Sequence, residues 1–208
     1  MPDTAQLEIA YRLASACCYQ PDRAWIEENL FSELVKATRT FSENLSKTAE
    51  AMELALDNSD LQSLLVDYSA LFVGPGTLLA APYGSVYLEK DRQVMGETTM
   101  AALGCYRSAG LNLTDDFTEM PDHIAVELEF CSYLLQRQLQ SEIAGDQNGV
   151  ETWQTQRADF LKNHLAVWAP PFCSNLHQNA ATSFYKELAE LIQGIISSDP
   201  LKPVPKPI

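Results

Sequence analysis

From Ile124 to Leu135 the chain is apolar on almost every side of a helix: Ile124, Leu128, Cys131 and Leu135 share one face, while Val126, Phe130 and Tyr133 fall on others. A helix with a single apolar stripe can lie on a surface, but one that is apolar nearly all round needs neighbours on every side. The remaining sequence supplies them. Leu7, Ala10, Tyr11, Ala14, Cys17 and Cys18 recur at helical spacing and predict a first helix ending near Pro21. Residues 24–56, with Trp25, Leu30, Phe31, Leu34 and Phe41, predict one or two more. Ser59 followed by Gln62 reads as a capping box, after which Leu61, Leu64, Leu65, Tyr68, Leu71 and Phe72 keep one face apolar. A further helix is expected from Glu97 to Ala109, closed by Gly110. Phe160, Leu161, His164, Leu165 and Trp168 predict another, stopped by Pro170 and Pro171, and Ala181, Phe184, Tyr185, Leu188, Leu191, Ile192 and Ile195 the last.

The breaks between these runs are as informative. Val73-Gly74-Pro75-Gly76 must end the Tyr68 helix, because Pro75 lacks an amide donor and glycines favour turns. Thr77 to Leu88 is apolar without helical spacing and holds Pro82 and Gly84, so it reads as an ordered loop with a short extended piece at Ser85 to Leu88. Such a loop either covers the core or lines a groove for another chain. An acidic connection, residues 113–123, leads into the central helix, with Pro121 near its start, where a missing donor costs nothing. Gly145 to Gly149 reads as a loop. These readings give an all-α fold: one domain over residues 1–198, a helical bundle or orthogonal helical array of about eight to ten helices. Residues 199–208, with a proline every second or third position, are expected to form a flexible tail.

With 28 acidic against 14 basic residues the chain carries a formal charge of −14. That repels nucleic acid and anionic lipid and leaves two readings, plain solubility or attraction of a cationic partner. No signal peptide and no run of apolar residues long enough to span a bilayer is apparent, so the expected compartment is the cytoplasm, without stable membrane insertion. Cys17, Cys18, Cys105, Cys131 and Cys173 lack C-x-x-C spacing, which argues for reduced thiols and against a disulfide framework or a zinc site.

Asp122-His123 is the only adjacent carboxylate–histidine pair, the kind of couple that general acid–base catalysis uses. No nucleophile elbow, metal-binding motif, phosphate loop or dinucleotide fingerprint accompanies it, so no catalytic residue, metal ligand or cofactor is assigned. Helix capping by Asp122 and a loop hydrogen bond for His123 are the better explanation of the pair taken alone. His164 and His177 have no ligand spacing and read as structural or surface histidines. Asp115, Asp116, Glu119 and Asp122 gather four carboxylates beside a helix start, either a solvated acidic loop or a receptor for an arginine-bearing peptide.

Three segments, in order, carry a resemblance. Tyr68-Ser69-Ala70-Leu71-Phe72-Val73-Gly74-Pro75-Gly76 followed by Ala81-Pro82-Tyr83-Gly84-Ser85-Val86-Tyr87-Leu88 is similar to the signature loop of the TorD/DmsD/NarJ family of redox-enzyme maturation chaperones, nearest its TorD/DmsD branch. Glu119-Met120-Pro121-Asp122-His123-Ile124 resembles that family's E-P-x-D-H motif, and Phe160 to Pro170 its late H-L-x-x-W-x-P segment. The chain departs from the pattern at Gly76, Tyr83 and Tyr87, where tryptophans are common, and at Met120 in place of proline. The resemblance implies a non-enzymatic chaperone that binds the twin-arginine leader and the apo catalytic subunit of a molybdopterin oxidoreductase, aiding cofactor insertion and proofreading before export. A NarJ-like grip on the catalytic subunit is the alternative it leaves open, and a hydrolase or nucleotide-using enzyme centred on Asp122 and His123 is the reading from another class. Carried over by motif position, the peptide-binding residues are Tyr68, Leu71, Phe72, Pro82, Tyr83, Ser85, Tyr87, Asp122 and His123. A monomer and a helix-exchanged dimer are both compatible with it.

Overall fold

Asp3 opens the first helix by accepting a hydrogen bond from the Ala5 amide, and α1 runs Thr4–Ala16. The computed structural model describes residues 3–22, 25, 29–58, 60–90, 96–112, 114 and 117–200. After α1 come α2, Leu30–Arg39, α3, Glu43–Asn58, and α4, Leu61–Tyr68, which widens into a π-helical turn over Ser69–Val73. Then follow α5, Gly84–Leu88, α6, Glu97–Ser108, α7, Ile124–Ala144, and α8, Gln147–Phe160. A second π turn, Leu161–Leu165, leads into α9, Ala166–Asn179, and α10, Ser183–Ser198, closes the fold. No strand forms among the described residues, and this all-helical architecture is the one the spacing predicts.

The helix that is apolar all round is α7, and it sits in the middle. Ile124, Ala125, Leu128, Cys131, Leu134 and Leu135 are completely buried. α1 lies antiparallel against it: Ser15 Oγ donates to the Ala125 carbonyl at 2.9 Å, and Ser132 Oγ donates to Glu8 Oε1 at 2.9 Å one end further along. α8 covers another side of α7, and α10 packs against both α3 and α9. Phe184 anchors this second group, stacked on Trp25 at 5.6 Å and edge-on to Phe31 at 5.9 Å. Burial of this many large side chains is the dominant stabilising contribution, on the order of 1.5–3 kcal/mol for each Leu, Ile or Phe.

Several local expectations are corrected. Pro170 and Pro171 do not stop a helix but lie inside α9. They fall just after the Leu161–Leu165 π turn, where the wider turn relaxes the regular ladder and accommodates proline rings that a straight α-helix would exclude. The extended piece expected at Ser85 to Leu88 is the short helix α5. Ser59 lies outside the described residues; the cap of α4 is Asp60, whose carboxylate accepts from the Ser63 amide at 2.6 Å. Pro121 precedes the cap of α7, which is His123, so it does not occupy the first helical turn. The loop expected at Gly145 to Gly149 is mostly helix, since Asp146 caps α8 by accepting from Gly149 N at 3.0 Å. Asp199, expected to begin the tail, is buried beside Arg157 at 3.4 Å, and residues 201–208 lie outside the described residues.

All five cysteines are free thiols, four of them buried. Among the described residues no helix is long and apolar enough to cross a membrane, and no cluster of His, Cys, Asp or Glu could hold a metal ion.

Candidate functional site

The loop that follows α4 is pinned to the start of α7 by backbone pairing. Gly84 N donates to the Asp122 carbonyl at 2.9 Å and Ile124 N donates to the Pro82 carbonyl at 2.8 Å, making an isolated antiparallel bridge between Tyr83 and His123. Ser85 N adds a 2.8 Å bond to Asp122 Oδ2. α5 has no side-chain cap of its own, so Asp122 satisfies one of its orphan amides from a distant segment and places a carboxylate at the positive helix end. The two stretches that the sequence singles out thus meet along one seam.

Their exposure divides the expected site residues. Leu71, Ser85 and Asp122 are 0% exposed and present nothing to a partner in this state. Phe72 is buried in an aromatic cluster with Tyr68, Phe172 and Tyr185, and Pro82 is buried too, held through its carbonyl. Tyr87 turns toward α9 and stacks on Trp168 at 5.7 Å. Asp122, a peptide-binding candidate from the sequence, is a framework group by its burial and its bond to Ser85. Of the four-carboxylate cluster, Asp115 and Asp116 lie outside the described residues.

What remains on the surface is a group of half-buried tyrosines around His123. Tyr83 meets the imidazole edge-on at 5.4 Å, and Tyr19, just beyond α1, stacks on it at 6.0 Å with an interplanar angle of 13°. Tyr68 joins them, since Tyr19, Tyr68 and Tyr83 all feel the charge of Glu119. Burial chiefly, then that charge and that of Cys18 and Tyr83, pushes the Tyr68 phenol up to about 12. The Tyr19 hydroxyl donates to Glu129 Oε1 at 3.3 Å, adding a second acid to the rim.

His123 is held neutral. Burial depresses it to about 4 against the opposing pull of Asp122, and its Nδ1 accepts from the Ala125 amide at 3.1 Å, which requires an unprotonated nitrogen there. The 3.6 Å approach of Nε2 to Glu119 is accordingly a contact with a neutral ring and not an ion pair. The patch thus offers three phenol rings and two carboxylates among the described residues, an arrangement suited to a guanidinium or ammonium group.

Beneath the patch lies a buried polar node. Glu127, fully buried, sits 2.6 Å from His164 Nε2 and accepts from Trp168 Nε1 at 2.9 Å. Burial raises the Glu127 carboxyl; on His164 it opposes charge, but the bond to Glu127 and its field prevail and raise the imidazole. A side chain at Gly84 would crowd this node, because a Cβ would lie 3.0 Å from Trp168 Nε1 and 3.1 Å from its Cε2, and the indole would have to shift to admit it. His164 is therefore structural, as its sequence context suggests.

Sequence reasoning missed Tyr19 and the part played by Glu129. Tyr19 falls beyond the periodic run of α1, so spacing carries no signal for it; an aromatic between a helix end and Pro21 is the only hint. Nothing in the site pairs a reachable base with a nucleophile, since His123 spends Nδ1 on a helix cap and Asp122 is sealed in.

Comparison with known proteins follows the same lines. The family described as nitrate reductase delta subunit matches residues 37–174, which include the loop, the start of α7 and the Glu127–His164 node. The chaperone protein TorD of Psychrobacter sp. (strain PRwf-1) is 26% identical over 84% of this chain and 86% of its own length. A perchlorate reductase assembly chaperone protein of Dechloromonas aromatica (strain RCB) is 26% identical over 76% of this chain and 66% of its own length. Among solved structures, a protein of Archaeoglobus fulgidus assigned to redox enzyme maturation shares the fold, with a TM-score of 0.58 at 21% identity, covering 91% of this chain and 93% of that one.

Proposed function

Because the chain belongs to the nitrate reductase delta subunit family, whose relatives compared above are chaperones and not catalysts, we propose that it is a redox-enzyme maturation chaperone that binds the twin-arginine leader of a molybdopterin oxidoreductase. In this reading it holds the apo catalytic subunit in the cytoplasm until its cofactor is inserted and only then releases it for export. It carries no cofactor of its own and binds no nucleic acid. The observation that supports the reading is the patch in which Tyr19, Tyr68 and Tyr83 share the field of Glu119 around a neutral His123. Aromatic faces beside carboxylates attract arginine by cation–π contact and by charge-assisted hydrogen bonds, each stronger where water is partly excluded. The overall charge of −14 steers a cationic leader toward the protein.

Calorimetry with a synthetic leader of an oxidoreductase encoded beside this protein tests it. Binding at roughly micromolar strength, about −8 kcal/mol, is expected, and it should vanish when both arginines are replaced by glutamine. Heat that is unchanged by that replacement removes the reading.

A second reading, a grip on the folded catalytic subunit itself, draws on the apolar side chains left open along α4 and the loop. Val66 is 60% exposed, Val73 64% and Leu79 44%. Pull-down of a client lacking its leader separates the two: retention supports the grip, and loss supports leader binding.

A further inference from the structure

A second concavity of about 290 Å³ opens beside the patch, walled by Tyr106, Phe117, Val126, Glu129, Phe130 and Tyr133. Its rings are fixed. Tyr106 lies 4.6 Å from Phe130, and Phe130 is stacked with Tyr133 at 6.5 Å. The Tyr106 hydroxyl donates to the Pro121 carbonyl at 2.6 Å and that of Tyr133 to the Ala109 carbonyl at 3.1 Å. Both phenols thus spend their polar ends on backbone, so the inner wall is aromatic and aliphatic, and the polar groups of the lining are Glu129 and, on the exposed side, Asn112 and Thr114.

Glu129 is also where the pocket joins the patch, since it accepts the Tyr19 hydroxyl. His123, Val126, Glu129, Phe130 and Tyr133 follow one another at helical spacing along one side of α7. Between His123 and the pocket lie one to three helical turns, about 5–15 Å at 1.5 Å per residue. An extended peptide covers that distance in about two to five residues.

We infer that this pocket receives an aromatic side chain of the same client segment whose cationic residue lies on the tyrosine patch, a few residues away. The inference rests on the leader-binding reading and deepens it: recognition then requires a cation and an aromatic at a set separation. Ring-on-ring packing favours an aromatic occupant, and Glu129 at the junction disfavours an acidic neighbour.

The test uses full-length protein and fluorescently tagged peptides of glycine and serine that carry an arginine pair at a fixed place and a single phenylalanine moved one position at a time. Anisotropy should show about tenfold tighter binding at one spacing than with alanine there. Phe117→Ala, at the half-buried rim, and Val126→Trp, which fills the pocket, should each abolish that gain while leaving the weaker binding of the phenylalanine-free peptide unchanged; Phe117→Ala keeps the test valid if the larger residue perturbs folding. A gain that is absent at every spacing, or that survives Phe117→Ala, overturns the pocket alone when arginine-dependent binding persists. Binding that needs phenylalanine but not arginine upholds the pocket and overturns the leader reading, and no binding by any peptide overturns both.

Discussion

The Asp122 carboxylate accepts the Ser85 amide at 2.8 Å with no part of Asp122 open to solvent, so the start of one helix is capped by the residue just ahead of another helix's cap. This bond, with the two backbone bonds around Tyr83 and His123, aligns the tyrosine patch.

Replacing Asp122 therefore acts first on the framework. Asp122→Ala leaves a buried amide at the α5 start unpaired and should lower unfolding free energy by about 1–3 kcal/mol. Asp122→Asn keeps an acceptor and should lose less. Urea denaturation of the three proteins checks the order; equal stability of wild type and Asp122→Ala would contradict the capping role.

The Glu127 node predicts a larger loss. Glu127→Ala strands the His164 and Trp168 donors in the core and should cost about 3–5 kcal/mol, whereas Glu127→Gln retains an acceptor for Trp168 Nε1 and a partner for His164 and should cost clearly less. Thermal unfolding followed by circular dichroism would show the difference. A similar fall in Tm for both variants would mean that packing, not hydrogen bonding, sets the contribution of Glu127.

Surface members of the patch should behave in the opposite way. Glu119 is 39% exposed at its side chain and Tyr19 is half-buried, so neither holds much of the core. Glu119→Gln and Tyr19→Ala should each weaken an arginine-bearing leader about tenfold, equivalent to about 1.4 kcal/mol, with unfolding free energy changed by less than about 1 kcal/mol. Raising salt should narrow the gap between wild type and Glu119→Gln, because a half-exposed carboxylate is screened. Calorimetry at two ionic strengths reads both effects.

These contrasts show which parts of the molecule the sequence made legible. The central position of α7 followed from its apolar residues alone, because a helix without a polar face has only one place to go. The meeting of the loop with the α7 start rests on order and residue type in the three quoted segments; periodicity has no access to long-range pairing. Which members of those segments face outward was illegible: Leu71, Ser85 and Asp122 look as exposable as Tyr68 and Tyr83 when written in a row. The Pro170-Pro171 pair misled because the π turn that accommodates it has no composition of its own. Tyr19 escaped because its partners, His123 and Glu129, lie more than a hundred residues away in the chain.

The depressed imidazole of His123 sets a pH dependence with a definite sign. Facing it are Asp122 and Glu119 from its own segment, Tyr83 from the loop and Tyr19 from beyond α1. Its folded value, about 4, lies below the ordinary 6.5, so between those values the unfolded chain binds a proton that the folded chain refuses. Stability should therefore fall as pH drops from 6.5 toward 4, by up to roughly 3 kcal/mol, and be flat in this respect above 7. Other groups act in the opposite sense, among them the raised carboxyls of Glu127, Glu129 and Glu187. Asp199, raised to about 6 by burial, takes up a proton on folding as pH falls below that value, and the raised His164 adds stability that is lost as pH rises through its folded pKa. A comparison with His123→Asn, which can still accept the Ala125 amide, removes those shared contributions. The variant should gain on wild type steadily from pH 6.5 to 4.5, measured by urea unfolding at each pH. Parallel curves across that range would show that His123 is not the neutral, buried cap that the geometry describes.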